Sequence, residues 1–480
     1  MKTFNHPPLR LGVAYTRRDT WMNKETEQNR ERIRERLLGI FESEEISVFS
    51  NDALGSVRKR ILINGREVLT SNNGFLSDYE DAVNLAQYFK DNRVDALFVP
   101  FCNYGQEDAV AKLAKELGVP TLIWGPRDEP PVTNSIYRAT DTQCGIFAAA
   151  KVLRRYGIPF TYIENCWLDD DSFTTGLKEF LTTARIVNSF RRGRVAQISV
   201  RPQQFTSLMV NEGELLERFG IEIVPITGIE LIDTIKHIQR KESQSVSDLV
   251  HEIEQSVDLS ALPDKNVMGA IELGFMRIAE RYGCNAIASD CWHTVRREFG
   301  IGPWFVFGDL YDRGLPCTNE CDIHGAITSL LAIGALNNKS AAFLTDLTMR
   351  HPTDDSSELL WHMGFAKQLM DKQSHAYVAP SGEGMYRLKP GEVTILRFDG
   401  DHGEYFCFVG TGSSTFGPPT GGNYTYLTVD NWSKWENKFV KGPYVHHVVG
   451  MYGNFKSEIN NALTYLGVIK DSPEKDLFVN

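Results

Sequence analysis

Residues 316–351 read PCTNECDIHGAITSLLAIGALNNKSAAFLTDLTMRH. A carboxylate pair, Glu320 and the aspartate two residues after it, opens the segment, and an apolar helical run follows at residues 323–336. A short apolar run, residues 341–344, then leads to Asp346. We interpret this last run as a strand that ends in a lone carboxylate. Asp346 is therefore expected at the C-terminal edge of a sheet, where open α/β folds bind their ligands.

The chain before this segment alternates short apolar strands with amphipathic helices. Predicted strands cover residues 11–15, 96–101, 121–124, 196–200, 221–226, 285–289 and 304–307, and predicted helices cover residues 79–89, 107–117, 144–156, 214–219 and 266–282. This alternation is typical of βαβ units that share a parallel sheet. A mostly polar stretch, residues 242–262, is interpreted as a helical excursion.

After about residue 341 the pattern changes to short strands punctuated by Gly and Pro. Predicted strands cover residues 392–398, 404–411 and 424–429, and a closing helix covers residues 456–466. Such strands are typical of a barrel or sandwich. A chain of 480 residues is also too long for one core.

The fold class that we predict is α/β. Two doubly wound parallel-sheet domains, residues 1–165 and 166–340, are followed by a C-terminal β-barrel-like domain, residues 341–480.

Charge and cysteine usage exclude several classes of protein. A net charge of −11 argues against a nucleic-acid surface, which needs a basic stripe. No window approaches the ~18 uninterrupted apolar residues of a membrane span, and the first residues lack an apolar core of signal-peptide length. The eight cysteines are scattered, and Cys317 and Cys321 have no second pair to complete a zinc site. We therefore expect a cytoplasmic protein that binds neither nucleic acid nor membrane.

Three separate segments carry side chains that together suit a divalent metal. Glu320 and Asp346 offer carboxylates, and the sequence GPYVHHVVG offers His446 and His447. Each has an ordinary explanation alone, because acids cap helices, strand-end acids are solvated, and apolar runs bury satisfied histidines. Taken together, two carboxylates and an imidazole favour Mn²⁺, with Mg²⁺ or Co²⁺ as alternatives. We predict that these segments meet in the folded protein.

Short signatures of the large enzyme classes are missing from the sequence. There is no G-x-S-x-G elbow, no P-loop, no G-x-G-x-x-G after a strand and no H-E-x-x-H. Arginines, in contrast, follow several predicted strands or lie near site loops, namely Arg17, Arg18, Arg296, Arg297 and Arg350. They are either surface and ion-pairing residues or, where several converge, a clamp for a sulfonate or phosphate group.

Six segments resemble the L-fucose isomerase and L-arabinose isomerase superfamily of metal-dependent aldose–ketose isomerases. They read FVPFCNYG, TLIWGPRDEP, YGCNAIASDCW, TNECD, AAFLTD and GPYVHHVVG. The resemblance implies two α/β domains and a C-terminal barrel-like domain. It also implies a hexamer whose active sites lie at subunit interfaces.

The resemblance also assigns roles to residues of this chain. It implies that Glu320, Asp346 and His447 hold the metal, with His446 as the less favoured histidine. Arabinose isomerases add a fourth ligand, for which His362 is the positional match, whereas fucose isomerases lack it.

The loop CNYG is similar to one that reaches into a neighbouring subunit's active site, and Trp292 and His293 replace a glutamine-bearing stretch of the family. The candidate substrate-binding residues are Arg17, Arg18, Asn103, Tyr104, Gln106, Trp292, His293 and His446.

The function expected from these features is metal-dependent isomerisation of a monosaccharide resembling L-fucose, D-arabinose or L-arabinose. Glu320 and Asp346 would move the proton between C2 and C1 through an enediol. An anionic hexose such as sulfoquinovose is an alternative substrate. A metal-dependent lyase or aldolase, and a non-enzymatic sugar-binding protein, are alternative functions.

Overall fold

The structure is a computed structural model, and it describes residue 4 and residues 7–21, 24–56, 58–63, 66–131 and 138–476. The chain divides into two compact units. The N-terminal unit is Pro7–Arg185, and the C-terminal unit is Ile186–Asn480 together with Met1–His6. Each unit is described by itself below.

Twelve described strands and α-helices form the N-terminal unit. The last of these helices continues past the unit boundary. They are β1 (Arg10–Val13), α1 (Lys24–Glu44), β2 (Ser47–Ser50), β3 (Arg58–Ile63), β4 (Arg66–Ser71), α2 (Tyr79–Asp91), β5 (Ala96–Pro100), α3 (Glu107–Leu117), β6 (Thr121–Trp124), α4 (Thr142–Arg155), β7 (Thr161–Tyr162) and α5 (Asp171–Arg191). The β3–β4 hairpin stands apart as a two-stranded antiparallel sheet.

The main sheet of this unit has the strand order β2-β1-β5-β6-β7, and all its pairings are parallel. Its central strands are fully buried, as β5 shows with the sequence ALFVP. The strand order reverses between β1 and β5, and such a switch point is where doubly wound folds bind ligands. The loops after β1 and β5 carry the arginine pair and the CNYG segment, so the topology places both at one edge of the sheet.

The C-terminal unit begins with a second α/β arrangement. Its elements are β8 (Arg194–Ile198), α6 (Glu212–Phe219), β9 (Glu222–Ile226), α7 (Gly228–Lys241), α8 (Ser243–Glu254), α9 (Lys265–Tyr282), β10 (Ala286–Ser289), α10 (Thr294–Phe299), α11 (Trp304–Asp312), β11 (Cys317–Thr318) and α12 (Ile323–Leu336). Four parallel strands pair in the order β11-β10-β8-β9. The C-terminal ends of β10 and β11 are therefore neighbours.

The rest of this unit is mainly antiparallel. Its elements are β12 (Phe343–Arg350), β13 (Ser357–His362), β14 (Tyr377–Val378), β15 (Gly384–Arg387), β16 (Gly391–Asp401), β17 (Glu404–Thr415), β18 (Asn423–Thr428), α13 (Trp432–Lys441), β19 (His447–Tyr452), α14 (Lys456–Leu466) and β20 (Ile469–Asp471). Six strands pair in the order β18-β13-β12-β19-β16-β17, and β17 pairs again with β18, which closes a barrel. The predicted combination of parallel sheets and a barrel-like module is confirmed.

Helix α12 lies between the two parts of this unit and packs against β10 and β8 on one side and β16 and β19 on the other. Every residue of α12 is buried, which explains its almost uniformly apolar sequence. Asp322 caps the helix by accepting a hydrogen bond from the Gly325 N–H at 2.9 Å. Because each fully buried leucine or isoleucine contributes about 1.5–3 kcal/mol, α12 is a principal source of cohesion in this unit.

Two sequence predictions are wrong. Residues 304–307 were expected as a strand but form the start of α11, because a short, wholly buried apolar run lacks a period that separates strand from helix. Asp346 was expected at the C-terminal edge of a parallel strand. It lies instead in the middle of β12, an antiparallel strand of the barrel.

None of the helices within the described residues has both the length and the apolar character needed to cross a bilayer.

Candidate active site

Glu320 follows β11 in an unusual backbone conformation. Glu320 and Cys321 both have positive φ angles, 52° and 54°, which non-glycine residues adopt only where the surrounding structure enforces it. One carboxylate oxygen, Oε1, accepts a hydrogen bond from the Trp292 indole at 2.9 Å. The other, Oε2, is buried and has no hydrogen-bond partner among the described residues.

Asp346 and His447 are direct partners in the barrel. They face each other in the antiparallel pairing of β12 with β19. A register shift between Leu347 and Met349 follows immediately in the pairing of β12 with β13. Such irregularities often re-aim a side chain next to an active site. The sheet register thus fixes the relative position of two residues that lie far apart in the sequence.

The three predicted metal ligands converge. The His447 Nε2 atom lies 3.7 Å from Glu320 Oε2 and 3.6 Å from Asp346 Oδ1. Both distances exceed a hydrogen bond, and each suits a pair of atoms, the His447 Nε2 atom and one carboxylate oxygen, that contact one small cation at about 2.0–2.2 Å. Asp346 Oδ1, like Glu320 Oε2, is buried without a hydrogen-bond partner in the described part of the chain. Buried polar atoms are seldom left unpaired, so the donor set fits a divalent metal.

Asp322 fixes the orientation of His447. The Nδ1 atom of His447 lies 2.9 Å from Asp322 Oδ2, and this aspartate also accepts a hydrogen bond of 2.6 Å from Arg397. A carboxylate acceptor requires Nδ1 to carry a proton in the neutral ring, which leaves the lone pair on Nε2. The Nε2 lone pair therefore faces the two free carboxylate oxygens.

The pKa values around His447 describe a site that attracts positive charge. Burial favours the neutral forms, yet the Arg397 guanidinium and the bond to His447 hold the pKa of Asp322 well below its usual range. Burial alone would lower the pKa of His447, but Asp322, Asp346 and Glu320 together raise it. Burial raises the pKa of Asp346 to about 7 and also raises that of Glu320.

Little in the sequence indicates the polar network behind Asp322. Arg397 lies on β16, only 1% exposed, and its Nε donates to Asp399 at 2.8 Å. Asp399 in turn lies 2.8 Å from His324 Nδ1 on α12. The one available signal was a pair of charges inside the apolar run LRFD, residues 396–399. Charged residues at buried strand positions indicate a paired network.

His362 lies beside Asp346, but its ring is oriented as a donor. The backbone N–H of Met363 donates to His362 Nδ1 at 2.8 Å, and His362 Nε2 lies 4.0 Å from Asp346 Oδ1. Burial, with the neighbouring His447 and His446, lowers the pKa of His362 to about 3, so the ring is neutral. A neutral ring that accepts at Nδ1 carries its proton on Nε2. This geometry suits a hydrogen-bond donor better than a fourth metal ligand.

We expect His362→Gln to weaken Mn²⁺ binding by less than about tenfold, because the geometry above gives His362 no free lone pair at Nε2. His447→Gln should weaken binding by roughly a hundredfold or more, because it removes a predicted ligand. Calorimetric titration of the two metal-free variants measures both effects. Equal losses in the two variants would show that His362 is a ligand.

His446 offers a less favourable arrangement than His447. Its ring is exposed and contacts the His447 ring edge-on at 4.4 Å between centroids. Ligand atoms of Asp346, His446 and His447 nevertheless lie within 4.8 Å of one another, so His446 stays close to any bound cation. Desolvation and the charge of His447 lower the pKa of His446 to about 4.

Trp292 and His293 differ in what they reach. The Trp292 indole contacts Glu320, as described above, and is 38% exposed. The His293 side chain is largely exposed, and its Nδ1 atom lies 3.4 Å from Asp290 Oδ1. The structure thus brings Trp292 into the site and leaves His293 at its margin.

The N-terminal unit holds the other candidate residues at its switch point. Asn103 Oδ1 accepts a hydrogen bond of 2.8 Å from the backbone N–H of Arg18. The Arg18 guanidinium lies 4.0 Å from the centroid of the Tyr104 ring and donates to the Gly105 carbonyl at 3.2 Å. Arg18 is a quarter exposed, so a guanidinium–aromatic pair faces solvent at the edge where ligands are expected.

Two further candidates in this unit have internal partners. Arg17 is 2% exposed, donates to Asp19 at 2.8 Å, and donates to the Ser71 carbonyl at 2.6 Å. The Gln106 side chain donates to Asp108 at 2.7 Å. The geometry therefore favours Arg18 over Arg17 as a residue that meets a substrate.

The raised pKa of Asp346 predicts a pH dependence of metal binding. Below about pH 7 this carboxyl holds a proton that a cation must displace, so affinity for Mn²⁺ should fall by roughly tenfold per pH unit for that proton. Calorimetry at about pH 6 and pH 8, in two buffers of different ionisation enthalpy, measures the affinity and the protons released. An affinity that is flat across this range would contradict the prediction.

Comparisons with known proteins relate this chain to sugar isomerases. Residues 41–191 match the family model described as the fucose/sulfoquinovose isomerase N-terminal domain. The sulfoquinovose isomerases of Priestia aryabhattai and Priestia megaterium are each 22% identical over 390 residues, which cover 79% of this chain and 85% of each relative. That of a Clostridium species is 20% identical over 257 residues, 53% of this chain and 56% of its own.

A solved structure with lower similarity is a periplasmic solute-binding protein of Actinobacillus succinogenes with bound D-allose. It is 13% identical and covers 59% of this chain and 77% of its own, with a TM-score of 0.17. A score this low supports no conclusion about fold or function.

The family-model match and the curated relatives indicate a sugar isomerase of the aldose–ketose class. These matches support the resemblance to the fucose/sulfoquinovose isomerase superfamily that was seen in the sequence.

Proposed function

We propose that the protein is a metal-dependent aldose–ketose isomerase whose centre is Glu320, Asp346 and His447. The observation that carries the proposal is the convergence of His447 Nε2 on two buried carboxylate oxygens that lack hydrogen-bond partners among the described residues. A divalent cation held by these residues would polarise the sugar carbonyl and stabilise negative charge on two adjacent oxygens.

Glu320 and Asp346 are the groups proposed to move the proton. One carboxylate takes the proton from C2 and returns it to C1, and the hydroxyl proton of O2 moves to O1. The carboxylate therefore ends the cycle unchanged, and the sugar gains and loses no atoms. Burial raises the pKa of both groups, and that of Asp346 to about 7, which suits proton transfer near neutral pH. The Nε2–H of His362 points toward the same region and is available to donate to a sugar oxygen.

Asp322 and Arg397 support this chemistry without taking part in it. Asp322 holds His447 in one tautomer, and Arg397 holds Asp322 ionised. Both side chains are 1% exposed, so the support is rigid and shielded from water.

The substrate that we propose is a monosaccharide, with sulfoquinovose as the first to test. Three curated relatives carry the name sulfoquinovose isomerase. A sulfonate needs a cationic partner. In the C-terminal unit, Arg296 and Arg297 lie on α10, close after the turn that carries Trp292. A neutral sugar such as L-fucose, D-arabinose or L-arabinose is the second candidate.

The test is a sugar panel followed by NMR in D₂O with Mn²⁺ present. The panel holds sulfoquinovose, L-fucose, D-arabinose, L-arabinose, D-glucose and a hexose 6-phosphate, each with an EDTA control. Ketose formation that EDTA abolishes is the expected result, and reaction only with the anionic sugars would support the sulfonate proposal. Conversion that persists in EDTA would refute metal dependence. Short-chain products in place of a ketose would favour a lyase.

A further inference from the structure

The turn after β10 carries two donors toward Glu320, and its own aspartate organises it. Asp290 accepts hydrogen bonds from the backbone N–H groups of Trp292 at 2.9 Å, His293 at 3.2 Å and Thr294 at 3.0 Å. It also accepts one from the Thr294 hydroxyl at 2.8 Å. Four bonds to one carboxylate give the turn 290–294 a single conformation.

Both side chains that follow Asp290 bind the same oxygen of Glu320. The Trp292 indole N–H donates to Oε1 at 2.9 Å, and the Cys291 thiol donates to it at 3.4 Å. Oε1 is thus occupied by two donors, while Oε2 is left free toward His447.

Glu320 depends on such support more than an ordinary residue does. It lies in a pair of consecutive positive-φ residues, a backbone conformation that persists only where neighbours enforce it. Phe205 packs edge-on against Trp292 at 5.5 Å, and its ring lies 6.4 Å from that of His447. The indole is therefore wedged between Phe205 and the carboxylate, which limits its movement.

We infer that Trp292 and Cys291 are positioning residues, which hold Glu320 Oε1 so that Oε2 faces the metal-binding centre. The inference rests on the proposed function, because it assumes that Glu320 is a ligand. This role differs from contact with the substrate, because the Trp292 indole N–H would bind Glu320 and not the sugar. A substrate-contact role would change KM, whereas loss of positioning changes kcat and the metal affinity.

The first test measures Mn²⁺ affinity by calorimetry on metal-free variants without sugar. Trp292→Phe removes the N–H donor and keeps an aromatic ring, and we expect affinity to fall about 10–100-fold. Trp432→Phe, the same change on α13, where the ring stacks on Trp435 at 6.0 Å, is the matched control and should leave affinity unchanged. Cys291→Ser keeps a donor, so it should bind Mn²⁺ more tightly than Cys291→Ala.

A double-mutant cycle shows whether Trp292 acts through Glu320. In the Glu320→Gln background, Trp292→Phe should produce little additional loss of affinity, because the group that it positions is already changed. An equal loss in both backgrounds would overturn the inference, since the indole would then act through another group. In the isomerase assay, Trp292→Phe should lower kcat with KM within about twofold.

The second test needs neither metal nor sugar, so it separates this inference from the proposed function. ¹⁵N-tryptophan labelling gives one indole signal for each of the eight tryptophans, and Trp292→Phe identifies the signal of Trp292. That signal should move when Glu320 is changed to Gln and should stay in place in Glu392→Gln, a change at an exposed site on β16. A signal unmoved by Glu320→Gln would overturn the inference even if the protein proved an active isomerase. A moved signal in a protein that binds no Mn²⁺ would uphold the contact and refute only the proposed metal dependence.

Discussion

Glu320→Gln is expected to lower turnover by roughly a thousandfold or more while the protein stays folded. The change removes a charged ligand and one of the two carboxylates proposed to carry the proton, and general acid–base catalysis alone contributes about 10²–10⁴-fold. The amide keeps the size of the side chain, so the fold should be retained. Ketose formation followed by NMR, with Mn²⁺ in excess, measures the loss.

Glu392→Gln is a suitable control for this experiment. Glu392 is exposed on β16 and its side chain accepts a hydrogen bond from Asn454 at 3.1 Å, so the same chemical change occurs at a surface site. Its turnover should match that of the unaltered protein. Turnover of Glu320→Gln within tenfold of this control would refute the assignment of Glu320.

Asp322→Asn should have the largest effect on stability. It leaves the buried Arg397 with Asp399 as its remaining carboxylate partner and takes the charged acceptor from His447. Breaking a buried ion pair by removing one partner costs about 3–5 kcal/mol, and we expect the lower end because Asp399 stays in place. Urea unfolding of the metal-free protein measures the change, and Mn²⁺ titration should show a loss of about 10–100-fold.

A second substitution, at Arg397, tests whether Asp322 and Arg397 stabilise the protein as a pair. Arg397→Met alone should also destabilise the protein, but the double variant Asp322→Asn with Arg397→Met should lose less than the sum of the two single variants. Strict additivity would show that the pair does not interact.

Because the pKa of Asp322 is depressed in the folded state, its contribution to stability is present above about pH 4 and is lost as the pH falls. The pH dependence of stability should therefore be weaker in Asp322→Asn.

Much of the α/β part of the fold could be predicted from local patterns. The bounds of α3, β6, α12 and α14 match the sequence prediction residue for residue. Each is a strongly periodic or wholly apolar run between clear stop signals, as Gly118 in the left-handed conformation illustrates after α3. Helix α13 was missed because Lys438 occupies one of its few buried positions, where it binds Asp471 at 2.6 Å.

The residues of the candidate site could be predicted from the sequence, but the contacts that position them could not. Residue type indicated Glu320, Asp346 and the His446–His447 pair, and the family resemblance favoured His447. The structure brings Glu320, Asp346 and His447 together, although Asp346 lies on a barrel strand and not at the edge of a parallel sheet. Three contacts join residues that are distant in the chain, namely those between Arg397 and Asp322, between Asp322 and His447, and between Trp292 and Glu320. Single-sequence periodicity carries no information about such contacts, which depend on how the sheet, α12 and the barrel meet.

The pairing of β12 with β19 has a consequence for how the protein is made. Asp346 is synthesised well before His447, and the barrel cannot close until β19 has left the ribosome and found its place. A nascent chain that stops before β19 contains Glu320 and Asp346 but lacks the imidazole of His447. Long-range strand pairing of this kind forms slowly. If the protein binds the proposed Mn²⁺, its capture should therefore be one of the last events in biosynthesis, and a refolding experiment that follows Mn²⁺ uptake would report barrel closure in real time.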